Sequence, residues 1–203
     1  MSIALFADGP SETFPYRVEN EAGSGAMGVV YRATDVALAR PVAIKVMRID
    51  AEGESELSAE GRRRFLQEAR SAAALTHPAV TAVYRIGKLA GAPYIVMEWL
   101  EGKTLHEVVR QEKAVPLERA SRYTYELLDV LAYAHGAGVV HRDIKPANLI
   151  AVEGDRLKVT DFGLALHQGH ELVRTAAGSV MATPQFASPE QLDGQRVDHR
   201  SDL

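Results

Sequence analysis

The sequence predicts an α+β fold in which an antiparallel sheet with one helix comes first and a mainly helical part follows. Short β-rich runs, separated by turns that contain glycine and proline, fill most of residues 16–97, and one helical pattern interrupts them at 58–75. Farther along, the apolar residues recur instead every three to four positions, over 104–112 and 117–136. This change of period divides the chain into two structural parts.

Composition narrows the class of protein. The 203 residues are 46% hydrophobic, which is enough for a packed core. The net charge of −4 gives no electrostatic case for nucleic acid or an anionic membrane as a partner. The absence of cysteine excludes disulfides and thiolate metal sites and is compatible with a reducing cytoplasm.

The N-terminus and the hydropathy pattern indicate a cytoplasmic segment. Residues 1–15 form an irregular leader that carries no basic residue, unlike a secretory signal. No apolar run reaches the ~18 residues of a membrane span, so we expect no membrane contact from this segment. Whether a membrane anchor follows Leu203 stays open.

The first strands surround a glycine-rich loop. A strand-like run at 16–20 is followed by Gly23, Gly25 and Gly28, whose spacing lets backbone N–H groups approach a phosphate without interference from a Cβ. A plain hairpin is the alternative, because a lone Gly-x-Gly-x-x-Gly pattern is a weak signal. The β-rich run at 29–34 comes directly after the loop, whereas a dinucleotide-binding loop would be followed by a helix.

The remaining elements follow from apolar spacing. Strands are predicted at 41–47, 80–86, 93–97, 149–152 and 157–160. The helix at 58–75 has an apolar face formed by Phe65, Ala69, Ala72 and Ala73. Thr104 is the predicted N-cap of the helix that ends at 112. The long helix at 117–136 is expected to turn inward Tyr123, Leu127, Leu128, Leu131 and Ala134.

The stretch from His141 to Asn148 concentrates side chains suited to phosphoryl transfer. A carboxylate at Asp143 could take a proton from a hydroxyl group, and the ammonium group of Lys145 could bind a phosphoryl group. The amide oxygen of Asn148 and the carboxylate of Asp161 could ligate a divalent metal.

The string His-Arg-Asp-Ile-Lys-Pro-Ala-Asn at 141–148, followed by Asp-Phe-Gly at 161–163, resembles the catalytic and metal loops of eukaryotic-type protein kinases. The glycine loop, the Val-Ala-Ile-Lys run that ends at Lys45 and an Ala-Thr-Pro…Ser-Pro-Glu segment at 182–190 occur in the family's order. From about residue 16 onward the chain therefore resembles the bacterial Hanks-type serine/threonine protein kinases, truncated at the C-terminus. Small-molecule phosphotransferases of kinase-like fold usually lack this full set of motifs.

The resemblance implies a two-lobed protein-kinase-like fold. It assigns residues 16–97 to an antiparallel β N-lobe with one helix, 98–102 to a hinge, and 103–203 to a partial, mainly α C-lobe. It also implies ATP and Mg²⁺, with Mn²⁺ as the alternative metal, and protein substrates that carry Ser or Thr. A dimer is an open expectation.

The family assigns a role to each motif residue. Asp143 would orient and deprotonate the substrate hydroxyl, and Lys145 would neutralise phosphoryl charge. Asn148 and Asp161 would hold the metal. Lys45, ion-paired to Glu68, would fix the α- and β-phosphates; the alternatives are a strand lysine that faces water and a solvated helix carboxylate. The residues expected around ATP are Ala22, Gly23, Ser24, Gly25, Ala26, Met27, Gly28, Val30, Ala43, Lys45, Glu98, Leu100 and Ile150. The expected phosphorylation sites after the Asp-Phe-Gly motif are Thr175 and Ser179.

Departures from the family pattern leave an alternative function open, an inactive kinase-like fragment or nucleotide-binding module. Ala22 and Ala72 are small where the family has larger side chains, and the helices that follow Asp202 in the family are absent from this sequence. A single helical turn from His199 is marginal by itself, so we expect that Asp202 does not serve as a rigid buried anchor. The same reasoning predicts that the 203-residue chain, expressed alone, is poorly soluble or only partly folded in its second half.

Overall fold

The computed structural model describes residues 9–11, 14–25, 28–47, 66, 69–89, 91–162 and 184–203. The chain forms two compact units. The first comprises Met1–Ala69 and Ala82–Leu100, and the second comprises Arg70–Thr81 and Glu101–Leu203.

The first unit is built on a five-stranded antiparallel sheet with the strand order β1-β2-β3-β5-β4. Its strands are β1 (Tyr16–Gly25), β2 (Gly28–Asp35), β3 (Arg40–Met47), β4 (Val83–Leu89) and β5 (Ala92–Glu98). Alternate residues of each strand point to opposite faces. One face forms the main core of this unit with Val29, Tyr31, Ala33, Val42, Ile44, Val46, Tyr94 and Val96.

The end of the predicted leader contributes to this core. Residues 9–11 and 14–15 have no regular secondary structure, yet Phe14 is only 4% exposed. Its ring makes edge-to-face contacts with Tyr16 and Tyr94, at centroid distances of 5.3 and 5.4 Å. A single aromatic residue next to Pro15 gives no periodic signal, which is why the sequence pattern missed it.

The hairpin of β4 and β5 is tighter than predicted. The predicted strand ends at residue 86, but Gly87 also lies inside β4, opposite Tyr94 of β5. A Cβ on Gly87 would lie 2.6 Å from the ring of Tyr94. This glycine therefore makes room for an aromatic ring, and the strands continue beyond the predicted turn boundary.

Residues 70–81 pack with the second unit, although the sequence assigned them to the N-lobe. A helical stretch at 69–73 leads into a cluster in which Ala72, Leu75 and Val80 contact apolar residues of the helix Leu117–Gly136 and of strand β8 (Arg156–Val159). Val80 forms a parallel bridge with Val159 of β8, so β4 begins only at Val83. These apolar residues pack into the core of the second unit, and the local sequence pattern does not indicate with which unit they pack.

The second unit combines helices with a three-stranded antiparallel sheet of order β6-β7-β8. Its elements are β6 (Gly102–Thr104), α1 (Leu105–Glu112), α2 (Leu117–Gly136), β7 (Leu149–Val152), β8 (Arg156–Val159) and α3 (Pro189–Leu192), with 3₁₀ turns at Pro146–Asn148, Glu153–Asp155, Pro184–Phe186 and His199–Asp202. Thr104 caps α1 as predicted, because its side chain accepts from Glu107 N while Glu107 accepts from Thr104 N.

The inward face of α2 differs from the prediction at two positions, 128 and 130. Tyr123, Leu131 and Ala134 are buried, but Leu128 is 46% exposed and Val130 is fully buried. Successive residues of a helix are rotated by about 100°, so positions 123, 127, 130, 131 and 134 share a face from which 128 is displaced. Among the described residues, no helix is long and apolar enough to span a membrane.

Candidate active site

The backbone of the predicted catalytic loop is fixed by a buried carboxylate. Asp202 accepts hydrogen bonds from the backbone N–H groups of His141 (2.8 Å) and Arg142 (2.7 Å). Its Oδ2 also lies 2.7 Å from Nε2 of His135 at the end of α2. The Asp202 side chain is fully buried.

The expectation that Asp202 could not serve as an anchor is therefore wrong. The 3₁₀ turn that carries Asp202 is capped by Asp198, whose carboxylate accepts from Arg200 N at 2.9 Å. A carboxylate that receives several donors is well satisfied despite its burial. The three partners of Asp202 thus hold a turn that propensity alone leaves marginal.

His141 supports the predicted catalytic loop through its side chain, which is completely buried. Its Nε2 lies 2.9 Å from the carbonyl oxygen of Thr160, and its Nδ1 accepts from Asp143 N at 3.2 Å. A carbonyl oxygen can only accept, so the proton resides on Nε2. Burial lowers the pKa of His141, against the opposing charges of Asp202, Asp143 and Asp161, which favours this neutral form. The ring also contacts Phe162 at a centroid distance of 4.6 Å.

Asp143 stands at the centre of the polar cluster that the loop presents. The Nζ of Lys145 lies 2.8 Å from its Oδ2, and the Nδ2 of Asn148 donates to the same oxygen at 2.9 Å. Nδ2 of Asn148 donates in addition to the backbone oxygen of Asp143 at 2.8 Å. The structure therefore brings together the three residues that the sequence predicted for this loop.

The residues predicted to hold a metal are fixed by neighbouring backbone. Asn148 ends a 3₁₀ turn, and its backbone oxygen accepts a hydrogen bond from Thr160 N at 3.0 Å. Thr160 directly precedes Asp161 in the chain. Because Nδ2 of Asn148 faces Asp143, its amide oxygen is the end of the side chain suited to a cation. Amide and carboxylate oxygens are the ligands that Mg²⁺ uses, so Asn148 and Asp161 fit this metal. Asp161 has a left-handed backbone conformation, with a φ of 63°.

In the first unit, strand register gathers the predicted ATP-contact residues on the face opposite the main core, here called the second face. Val30 of β2 pairs with Lys45 of β3, and Ala43 of β3 pairs with Met97 of β5. Alternation then places Val30, Ala43 and Lys45 together on the second face. Lys45 is half-buried, and its predicted partner Glu68 lies outside the described residues.

The glycine loop is the tip of the β1–β2 hairpin, in which Ser24 pairs with Val29. A Cβ on Gly28 would lie 2.1 Å from the backbone oxygen of Val46, so this glycine permits the close approach of β2 to β3. At Gly23 and Gly25, by contrast, a Cβ would meet no described atom within 4 Å. Packing among the described residues therefore does not require glycine at those two positions. Ala26 and Met27 lie outside the described residues, and Ala22 is exposed on β1.

The predicted hinge begins at the end of β5. Glu98 N donates to the backbone oxygen of Ala82 at 2.9 Å, and the Glu98 carboxylate accepts from Ala82 N at 3.3 Å. Glu98 and Leu100 are both partly exposed and belong to the first unit. Ile150 lies on β7 of the second unit, and its predicted contact with adenine stays a prediction.

Sequence reasoning missed two contacts of the C-terminal segment, one to the catalytic loop and one within the segment itself. Gln191 of α3 donates from Nε2 to the backbone oxygen of Arg142 at 2.7 Å. The Ser201 hydroxyl donates to the carboxylate of Glu190, which lowers the pKa of Glu190. A polar residue near a Pro-Glu motif carries no sequence signal for such a bond. Thr175 and Ser179 lie outside the described residues.

Comparisons with known proteins identify the class that this fold and loop define. The sequence profile of the protein kinase domain family matches residues 16–203. A probable serine/threonine-protein kinase of Streptomyces coelicolor is 43% identical over 186 residues, which cover 89% of this chain and 27% of that protein. The serine/threonine-protein kinase PknB of Mycobacterium tuberculosis is 40% identical over 195 residues, which cover 93% of this chain and 30% of that protein.

A solved structure agrees with the sequence matches. The crystal structure of the Mycobacterium tuberculosis PknI kinase domain is similar with a TM-score of 0.71 at 29% identity, covering 95% of this chain and 71% of that one. The chain belongs to the protein kinase domain family, and the predicted family and two-part α+β kinase fold are confirmed. It spans 27% and 30% of the lengths of the two curated relatives.

Proposed function

We propose that this chain is the catalytic part of a serine/threonine protein kinase, which transfers the γ-phosphoryl group of ATP to Ser and Thr hydroxyls of protein substrates. The observation that carries the proposal is the arrangement around Asp143. Lys145 and Asn148 both contact Oδ2, so among the contacts of the described residues Oδ1 is the oxygen left for a substrate hydroxyl.

In the proposed reaction, Asp143 Oδ1 accepts the hydroxyl proton as the hydroxyl oxygen attacks the γ-phosphorus, and the bond from phosphorus to the bridging oxygen of ADP breaks. Asn148 orients Asp143 by donating one hydrogen bond to its carboxylate and one to its backbone oxygen. Lys145, with its ammonium group beside Asp143, is placed to neutralise charge on the transferred group. Mg²⁺, when bound by Asn148 and Asp161, supplies further charge neutralisation; Mn²⁺ is the alternative metal.

The first unit supplies the proposed nucleotide-binding groups. Lys45 would contact the α- and β-phosphates, and Val30 and Ala43 on the second face would contact adenine. The backbone at Glu98 and Leu100 would hydrogen-bond to the adenine edge. Gly23 and Gly25 support the proposal, because their lack of a side chain is not explained by packing among the described residues and suits a phosphate approaching the backbone.

The test is phosphoryl transfer from labelled Mg-ATP to Ser- and Thr-containing peptides. We expect Asp143→Asn to lower the transfer rate by about 10²–10⁴-fold, the usual contribution of a general base, with the Kd for Mg-ATP unchanged. Asp193→Asn is the matched control, because Asp193 is an exposed carboxylate at the end of α3. Transfer by Asp143→Asn at the wild-type rate would remove Asp143 from the mechanism. Nucleotide binding by the wild type without transfer would favour the nucleotide-binding module.

Regulation by phosphorylation is a second part of the proposal. Thr175 and Ser179 remain the proposed phosphorylation sites, on the basis of their position between the Asp-Phe-Gly and Ser-Pro-Glu motifs. The protein substrates and a dimeric state also remain proposals.

A further inference from the structure

An arginine of β2 stacks on the only tryptophan of the chain. The guanidinium carbon of Arg32 lies 5.2 Å from the ring centroid of Trp99. Nε of Arg32 also lies 3.2 Å from the carboxylate of Glu19 on β1, and the hydroxyl of Thr34 donates to Glu19 at 2.6 Å. Arg32 thereby joins β1 to the segment that follows β5.

The register shows where this pair stands relative to the proposed nucleotide site. Arg32 pairs with Ala43 on β3, and Ala43 pairs with Met97 on β5, two residues before Trp99. Arg32 therefore lies on the second face, one strand away from Ala43 and two residues from Val30. Because Ala43 has only a methyl side chain, the long Arg32 side chain can extend past it toward Trp99.

Trp99 lies between the two residues whose backbone groups are proposed to hydrogen-bond to adenine. Glu98, on one side, is fixed by its two hydrogen bonds with Ala82. Trp99 is fixed by Arg32, which Glu19 orients in turn. The hinge backbone is thus held from the β4 side through Glu98 and from the β1–β2 side through Trp99.

We propose that Glu19, Arg32 and Trp99 form a positioning relay that keeps the hinge backbone in the geometry that binds adenine. Arg32 is a positioning residue in this relay and acts through Trp99. The inference rests on the proposed function, because it needs a nucleotide at the second face. Arginine suits the position because its planar guanidinium stacks on an aromatic ring while its N–H groups pair with a carboxylate.

The same sheet offers a matched control. Arg40 of β3 lies 3.7 Å from the ring centroid of Tyr84 and 3.8 Å from the carboxylate of Asp35. Both arginines therefore combine an aromatic contact with an ion pair, and their side chains are 39% and 37% exposed. Of the two aromatic contacts, only that of Arg32 involves a hinge residue, since Tyr84 lies on β4.

The experiment compares Arg32→Leu with Arg40→Leu in the full chain. Calorimetry gives the Kd for Mg-ATP and Mg-ADP, steady-state transfer gives kcat and KM, and thermal unfolding gives Tm. We expect Arg32→Leu to raise the Kd for both nucleotides and the KM for ATP by the same factor, about two- to fivefold, the fold-change that a partly exposed cation–π contact corresponds to. The factor should be equal for ATP and ADP because the relay acts on the base, and kcat should not change.

Two further variants separate positioning from folding. Arg32→Lys keeps the charge but loses the planar stack, so we expect a Kd between those of the wild type and Arg32→Leu. In the double variant Arg32→Leu/Trp99→Leu, the second substitution should raise the Kd by a smaller factor than Trp99→Leu does alone, because both substitutions remove the same contact. If Arg32→Leu fails to fold, Trp99→Phe weakens the contact with a smaller ring and carries the same comparison.

The outcomes are distinct. If the wild type binds Mg-ATP while Arg32→Leu and Arg40→Leu have the same Kd, the relay is wrong and the proposed function stands. An effect on ATP but not ADP would also overturn it, since it would locate Arg32 at the γ-phosphate. Failure of the folded wild type to bind Mg-ATP would overturn the proposed function and the relay with it.

Discussion

The two units hold their proposed site residues in different ways. In the first unit, Val30, Ala43 and Lys45 share a face because strand register and alternation repeat along a buried sheet. In the second unit, Asp143 is placed by a loop without regular structure, which depends on hydrogen bonds to the single buried side chains of Asp202 and His141. The first arrangement is distributed over many residues, whereas the second depends on a few polar groups.

This difference has an energetic consequence. Apolar packing loses a graded amount of stability when a methyl group is removed, because the surroundings keep their other contacts. Removal of a buried carboxylate costs far more stability, because every donor that it satisfied is left without its charged acceptor. We therefore expect single polar substitutions to damage the second unit more than conservative apolar substitutions damage the first.

The largest effect is expected for Asp202→Asn. The amide keeps one acceptor oxygen, but its NH2 group replaces the second one. Backbone N–H groups that had donated to that oxygen would then face another donor. Since a hydrogen bond to a charged group contributes about 1.5–3 kcal/mol, we expect a loss of roughly 3 kcal/mol in the stability of the second unit. Hydrogen exchange of the α2 amides should measure it, and phosphoryl transfer should fall at least about tenfold as Asp143 loses its alignment.

If Asp202→Asn left the stability of the second unit and the transfer rate nearly unchanged, the contrast between the two units would be wrong. The control is Asp129→Asn on α2, an exposed carboxylate that pairs with His77 at 3.5 Å. Surface pairs of this kind contribute about 0–1 kcal/mol, so its effect should be small. Equal effects of the two variants would show that the buried carboxylate is not the anchor of the loop.

The second prediction concerns pH. Burial lowers the pKa of His141 in the folded protein below the ordinary value of 6.5, so below that pH the unfolded chain binds a proton that the native chain does not. The free energy of unfolding should then fall as the pH falls below 6.5, by up to about 1.4 kcal/mol per pH unit. Protonation would also place a proton on Nδ1, where Asp143 N now donates.

A variant isolates this contribution from that of the other histidines. Urea unfolding between pH 7.5 and 5.5, followed by hydrogen exchange of the α2 amides, should show that the free energy of unfolding depends less steeply on pH in His141→Gln than in the wild type. An unchanged slope in His141→Gln would mean that His141 already binds its proton in the native state.

The sequence predicted most of what depends on repetition or on a local motif. The strands of the first unit, the bounds of α2 and the capping of α1 by Thr104 all follow from apolar period or from side chains within one turn. The sequence also named the residues that cluster at Asp143, because Lys145 and Asn148 are close to it in the chain.

What the sequence could not predict are contacts between distant residues. Phe14 joins a core whose other members lie up to 82 positions away at Val96, and Asp202 reaches a loop 60 residues earlier. The marginal stability of one helical turn led to a wrong expectation for Asp202, because the donors that stabilise it come from elsewhere in the chain. Local patterns contain no information on such partners.

The smallest expected effect belongs to Ile44→Val in the core of the first unit. Ile44 is fully buried among the strands, and loss of one methylene from a core typically costs 0.5–1.5 kcal/mol, so we expect a loss of about 1 kcal/mol. Trp99 is the only tryptophan and lies in the first unit, so its fluorescence during urea unfolding reports on this unit. The position of Lys45 should survive, because the paired strands of the sheet fix it, and kcat should therefore stay at the wild-type value. If kcat fell in Ile44→Val as far as in Asp202→Asn, the second face would be as sensitive as the catalytic loop, and the contrast between distributed and concentrated support would fail.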